Sequence, residues 1–205
     1  MYDKDPTVTG QAARSEATRA KLVAAGIELF SAHGYAAVGT EQVVKRARVT
    51  RGALYHHFGD KRDLFRAVHE ELETRLVQDI AAALAAAQEE DPLAALEVAA
   101  RAVLDVAIDR KVARVTLIDA PSVLGWEEWR EIDARHGLGL AELALRAAMD
   151  AGRISEQPVK PLAHLLLGAL GEAAIMVATA PDPAMTRAEV EPALMTLING
   201  LATDS

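Results

Sequence analysis

Thr50, Arg51, Gly52, Ala53, Tyr55 and His56 crowd into one short stretch of a 205-residue chain, with Thr40 and Lys61 to either side. These types suit the surface of double-stranded DNA. Arginine can pair bidentately with a guanine edge, hydroxyls and imidazoles can bond phosphate oxygens, and Gly and Ala let a backbone come close. The surroundings agree in charge. Residues 1–70 carry eleven Lys/Arg against eight Asp/Glu, whereas residues 71–205 carry eleven against 22, within a net charge of −8. A basic head on an acidic body points to a polyanion-binding region; charges scattered over a solvated surface are the plainer alternative.

The elements that must position these residues are helices. Ala, Leu and Val dominate a 51% hydrophobic composition in which aromatics make up 4%, and nothing alternates at period two. The fold class is therefore all-α. Residues 1–14 lack periodicity and are expected to be a disordered tail. A first helix starts near Ser15 or Thr18 and ends at Gly34, a left-handed cap. Thr40 caps a second, Thr50 caps a very short third, and Asp60 caps a long fourth, with Asp63 as partner in a capping box. Val43, Ala47, Val49, Leu54 and Phe58 can then pack inward against Leu29 and Phe30. That leaves the polar set facing outward, which is the pattern of a helix-turn-helix. Helix N-termini would add N–H groups toward phosphate. Beyond lie a fifth helix to about Ile108, a sixth that stops before Pro121, a seventh closed at Gly152, an eighth to about Ala178 and a ninth from about Thr186 to Leu201.

The stretch 18–65, TRAKLVAAGIELFSAHGYAAVGTEQVVKRARVTRGALYHHFGDKRDLF, resembles the DNA-binding domain of TetR-type bacterial transcription regulators. Leu29-Phe30, Gly34-Tyr35, Ala47, Val49-Thr50, Gly52, Leu54-Tyr55, His57-Phe58, Lys61 and Leu64 carry the resemblance. LIDAPSVLGW and PLAHLLLGALGEAA are similar to the C-terminal part of one branch of that family. The resemblance implies a nine-helix fold: a helix-turn-helix head over 15–62, and an effector-binding and dimerising body over 63–205. Two positions depart from the pattern. Arg48 stands where the family usually has a turn glycine, and Val44 where it often has Ala. A left-handed Arg48 would cost about 1 kcal/mol. Its side chain is either solvated, the favoured reading, or on a phosphate.

In the body, Trp126, Trp129, His136, Met149, His164, Glu172 and Met176 are candidates for an effector pocket between the fourth and eighth helices. Trp and Met would line it while a His or Glu172 orients the ligand; alternatively they are core and satisfied polar groups. The eighth helix is apolar nearly all round. Leu165, Ala169, Leu170 and Ala173 on it, with Val190, Leu194, Leu197, Ile198 and Leu201 on the ninth, are candidates for a homodimer interface.

The chain has no cysteine, phosphate-cradling glycine loop or zinc-helix motif, so no enzyme and no cofactor is expected. Adjacent histidines such as His56 and His57 point about 100° apart on a helix and rarely share a metal. No N-terminal run resembles a signal peptide, and no apolar stretch is expected to cross a membrane, which suggests a cytoplasmic protein. The resulting expectation is a ligand-responsive, sequence-specific regulator, a repressor released from a palindromic operator by a small hydrophobic effector. The alternative is a helix-turn-helix regulator or helical scaffold without small-molecule response.

Overall fold

The computed structural model describes residues 6–203, with side chains from residue 11 onward. Among the described residues the regular elements are all helices, with an isolated bridge between Ile154 and Ala202. It divides into two compact units, Met1–Glu71 and Leu72–Ser205.

The first unit holds α1 (Pro6–His33), α2 (Thr40–Ala47), α3 (Arg51–His57) and the opening turns of α4 (Lys61–Ala87). Residues 6–14, expected to be a disordered tail, belong to α1 instead; residues 1–5 of that expectation lie outside the described part. Proline is well placed at a helix's first position, where its missing N–H has no partner to lose, and one glycine costs only about 1 kcal/mol in a long helix. Gly34 closes α1 with φ 80°, its N–H donating to the Phe30 carbonyl at 2.8 Å. Leu22, Phe30, Val43, Leu54, Phe58, Leu64, Phe65 and Val68 are buried as the core of this unit. Phe30 and Tyr35 both meet Phe65 edge-on, with centroids 5.3 and 5.0 Å apart. The close approach of α1 and α4 requires Gly26, since a Cβ there would lie 2.6 Å from a Val68 methyl.

The caps show how sequence fixes these short helices. Thr50 Oγ1 accepts from the Ala53 N–H at 3.1 Å, as expected. For α2 the capping position is Gly39 rather than Thr40, and the Gln42 side chain accepts the Gly39 N–H at 2.7 Å. Asp60 accepts the Asp63 N–H at 2.8 Å, while Asp63 reaches back one residue further than a capping box would, to the Gly59 N–H at 3.1 Å. The turn between α2 and α3 is made by Arg48, left-handed at φ 55° and ψ 46°, with an exposed side chain.

The second unit packs α5 (Pro92–Ile108), α7 (Trp126–Asp150), α8 (Val159–Thr179) and α9 (Pro183–Asn199) around Leu96, Leu104, Leu145, Leu166, Val177, Leu194 and Ile198. Between α5 and α7 runs α6, residues 110–124, whose middle, Arg114–Asp119, is wound in wide i→i+5 turns. Helix α6 therefore does not stop before Pro121. The wide turns end immediately before the proline, and Ala120 donates back to the Val115 carbonyl, so the ring enters where the regular i→i−4 ladder is already interrupted. Gly152, at φ 69°, follows α7 as the sequence suggests. Asp182 caps α9 by accepting from the Met185 N–H, so that helix starts before Thr186. Arg101 links Glu97 and Glu191 at 2.7 and 2.9 Å, and Arg187 reaches Asp105 at 2.7 Å, tying α5 to α9.

By length and composition alone α8 is apolar enough to cross a membrane, a test that the core helix of a soluble protein also passes. The composition has a local explanation, because α8 packs against α5, α6, α7 and α9 and must be apolar toward each.

Replacing Arg48 by Gly should raise stability by about 0.5–1 kcal/mol in urea unfolding, because relief of the left-handed strain exceeds the added entropy of the unfolded chain. A loss of stability would instead reveal a contact made by the Arg48 side chain.

Candidate functional site

Helix α3 presents a pre-ordered polar cluster. Tyr55 is 45% exposed, and Arg51, Gly52 and His56 are exposed beside it. The Thr40 hydroxyl from α2 and the Arg51 guanidinium donate to the Tyr55 hydroxyl and hold its pKa below the ordinary value for tyrosine. The guanidinium also lies 5.6 Å from the Tyr55 ring centroid and 3.6 Å from Glu41 at the start of α2. Thr40, Arg51 and Tyr55, separated in sequence, thus meet on one surface. Thr50 is exposed at the N-terminus of α3 and Ala53 is half-buried. The His56 and His57 rings meet edge to face with centroids 5.2 Å apart.

Lys61 behaves differently. Its ammonium sits 4.0 Å above the centroid of the Tyr35 ring, and burial lowers its pKa. A positive charge in the first turn of a helix is poorly matched to the dipole; the aromatic face supplies an intramolecular partner that explains its position.

The second unit contains a cavity of about 370 Å³, within the usual size of small-molecule sites, about 300–1,000 Å³. Its walls come from α4 to α9 and are mostly hydrocarbon, including Leu76, Ile80, Val103, Leu140 and Leu170. Four polar side chains interrupt them: Glu73 on α4, Thr116 on α6, and Asp133 and His136 on α7. Glu73 is buried, and lost hydration together with the negative charge of Asp133 pushes its carboxyl up to about 8. Asp133 is also shifted upward by burial, against the opposing pull of Arg130, 3.6 Å away, and of His136. Trp129 is buried, and its indole N–H donates to the Thr116 carbonyl at 3.0 Å.

Of the candidate effector residues, Trp129 and His136 line this cavity. Trp126 meets the Trp129 ring at a tilt with centroids 4.9 Å apart, yet it is 64% exposed. Met149 is half-buried against the body core. His164, Glu172 and Met176 lie on an exposed face of α8, so Glu172 is not the buried carboxylate that its apolar neighbours suggest. The helix is packed on several sides but leaves that stripe open. Of the candidate interface residues, Leu165 and Leu197 are exposed at 72% and 63%. Ala169, Leu170 and Leu201 are half-buried, while Ala173, Val190, Leu194 and Ile198 are buried within the protomer.

Residues 22–68 match the tetR family of bacterial regulatory proteins, and residues 93–201, more than half of the chain, match the tetracyclin repressor-like C-terminal domain. The chain belongs to the TetR family. A TetR-family transcriptional regulator from Pectobacterium atrosepticum is 33% identical and superimposes with a TM-score of 0.83, covering 94% of this chain and 97% of that one. The transposon Tn10 TetC protein of Escherichia coli is 26% identical over 153 residues, which span 75% of this chain and 76% of TetC. RolR, crystallised with its ligand resorcinol, shares the fold with a TM-score of 0.70 at 19% identity, over 95% of this chain and 97% of RolR.

TetR-family proteins are transcription regulators with a helix-turn-helix DNA-binding domain, and they bind operator DNA and small-molecule effectors as dimers. Within this TetR-family chain, sequence reasoning missed that Glu41 pairs with Arg51 and Tyr35 with Lys61, and it missed Glu73 and Asp133. The last two carried a legible signal. His69, Glu73, Leu76 and Ile80 keep helical spacing along α4, as do Trp129, Asp133, His136 and Leu140 along α7, so each acid interrupts an otherwise inward stripe.

The Glu73 shift has a thermodynamic sign. Between pH 4.5 and about 8 the folded protein keeps a proton that the unfolded chain has released, so this group's contribution to stability falls as pH rises through that window. Glu73→Gln should flatten the pH dependence relative to the parent, by on the order of 3 kcal/mol between pH 5 and pH 8. Equal slopes in urea unfolding across that range would refute the assignment.

Proposed function

We propose that the protein is a sequence-specific, ligand-responsive transcriptional repressor of the cytoplasm, released from a palindromic operator by a small hydrophobic effector. The observation that carries this reading is the joint presence of the Thr40–Arg51–Tyr55 surface and an apolar cavity, with α4 contributing both to the helix-turn-helix unit and to the cavity wall. On this reading residues 15–62 form the DNA-binding head and 63–205 the effector and dimer body.

Arg51, Tyr55 and His56 enter the major groove on α3, with Gly52 and Ala53 allowing close approach, while Thr40, Thr50 and Lys61 lie alongside the phosphates. Arg51 exchanges its exposed partner Glu41 for a base edge or phosphate, a cheap exchange since exposed ion pairs contribute only about 0–1 kcal/mol. Two protomers pair through α8 and α9, whose outer faces expose Leu165, Met176, Met185 and Leu197, and the paired heads address half-sites about 34–36 Å apart or a multiple of that. An effector that fits the cavity better in one arrangement of α4 than another shifts the balance between operator-bound and free protein by its difference in affinity. A regulator that has lost small-molecule response is the competing reading, and the roomy apolar cavity argues against it.

An operator selected from random duplexes provides the test. Arg51→Ala and Tyr55→Ala should each weaken operator binding about tenfold to a hundredfold, the cost of one or two lost base or phosphate contacts, while thermal unfolding stays within a few degrees of the parent. Parental affinity in fluorescence anisotropy would remove α3 as the reading helix.

A further inference from the structure

The cavity's polar lining is one-sided. Three side-chain donors on it already face backbone carbonyls. The Trp129 indole N–H donates to Thr116 at 3.0 Å, the Thr116 hydroxyl donates to Val112 at 3.1 Å, and His136 Nδ1 is 2.9 Å from the Ile132 carbonyl. A carbonyl only accepts, so that His136 nitrogen carries a proton and, in the neutral ring, Nε2 is left as an acceptor. Glu73 and Asp133 are acceptors when ionised. Among the described residues no lysine or arginine lines the cavity. Arg130 approaches Asp133 at 3.6 Å but does not belong to the wall, and its guanidinium lies 5.9 Å from the centroid of the Trp126 ring.

A ligand headgroup arriving here meets two carboxyl groups and an imidazole acceptor. A carboxylate or phosphate would meet the negative charge of Asp133 and find no cationic side chain among the lining residues. An alcohol would donate its single O–H to a carboxylate but would bring no opposite charge. An ammonium matches both features, since it brings several N–H donors and the opposite charge into a site where apolar walls keep water from screening them. The rest of the cavity, lined by side chains such as Leu76, Ile80, Leu96, Val103, Leu140 and Leu166, takes hydrocarbon. Resting on the reading of this cavity as the effector site, we propose that its ligands are lipophilic amines: a protonated amine held by Glu73, Asp133 and His136, with an apolar chain or ring along the remaining walls. The two acids are kept from mutual repulsion in the empty protein by proton retention on Glu73, and the cation takes over that role when it binds.

The test uses three probes that share one apolar group and differ in their heads: octylamine, 1-octanol and octanoate, titrated calorimetrically into the full-length protein at pH 7.5. Octylamine should bind at least about tenfold more tightly than 1-octanol, and octanoate most weakly. In Glu73→Gln and in Asp133→Asn, each checked for cooperative unfolding, the ratio of amine to alcohol affinity should collapse toward one. The two variants are read separately, so a folding defect in one leaves the other informative. Equal or weaker binding of the amine by the parent protein, or a preference that survives in both variants, overturns the amine assignment. Tight octanol or octanoate binding in that case leaves the cavity as an effector site of different chemistry. Failure of all three probes to bind overturns the amine assignment and the effector reading together.

Discussion

Two helices of eight and seven residues, α2 and α3, cannot sustain themselves in water, where isolated helices shorter than about 12–15 residues are marginal. The surface that Thr40, Arg51 and Tyr55 share therefore exists only through tertiary burial. Val43 on α2, together with Leu54 and Phe58 on and after α3, is removed from water, and the Phe30–Tyr35–Phe65 cluster belongs to the same core. Burial of side chains of this size contributes about 1.5–3 kcal/mol each, which outweighs the strain of a left-handed Arg48. Once that packing is set, the exposed side chains have little freedom left. Thr40 on one helix and Arg51 and Tyr55 on the next are held in contact by hydrogen bonds across the turn.

The body satisfies the opposite requirement, since it leaves space unfilled. Its helices meet closely where small residues allow, as at Gly137, where a Cβ would come within 3.3 Å of a Leu167 methyl. Elsewhere they stand apart around hydrocarbon. Interiors normally close such gaps, because walls without partner atoms forfeit dispersion contacts. Two carboxyl groups in that space add a further cost through lost hydration. Stability is given up at the place where a ligand would restore it, as functional sites often show.

The helical class, the caps of α3 and α4 and the inward residues of the head were legible because local rules govern them. Thr50 must cap if α3 starts at Arg51, and helical period alone puts Leu54 and Phe58 on one side. The gap between legible and hidden widened wherever partners are distant in sequence. Nothing local says that Tyr35 lies under Lys61, or that Glu41 faces Arg51. Glu172 looked buried because its helix is apolar, yet the side chain lies on the one stripe the protomer leaves uncovered. Glu73 interrupts an inward stripe of α4, but nothing local says that the charge it meets is that of Asp133, far along the chain. Pro121 read as a stop because the wide turns before it have no signature in composition.

The Glu73–Asp133 pair in the cavity wall also bears on how long the protein survives in a cell. A molecule that binds only the native cavity raises folding stability by mass action, in proportion to the logarithm of its concentration over its dissociation constant. A change of 1–2 kcal/mol is enough to alter the abundance of a marginally stable protein several-fold through proteolysis of its unfolded fraction. Occupancy of the cavity would then set the number of copies present as well as their state, and a cell would register the ligand through protein turnover alongside transcription.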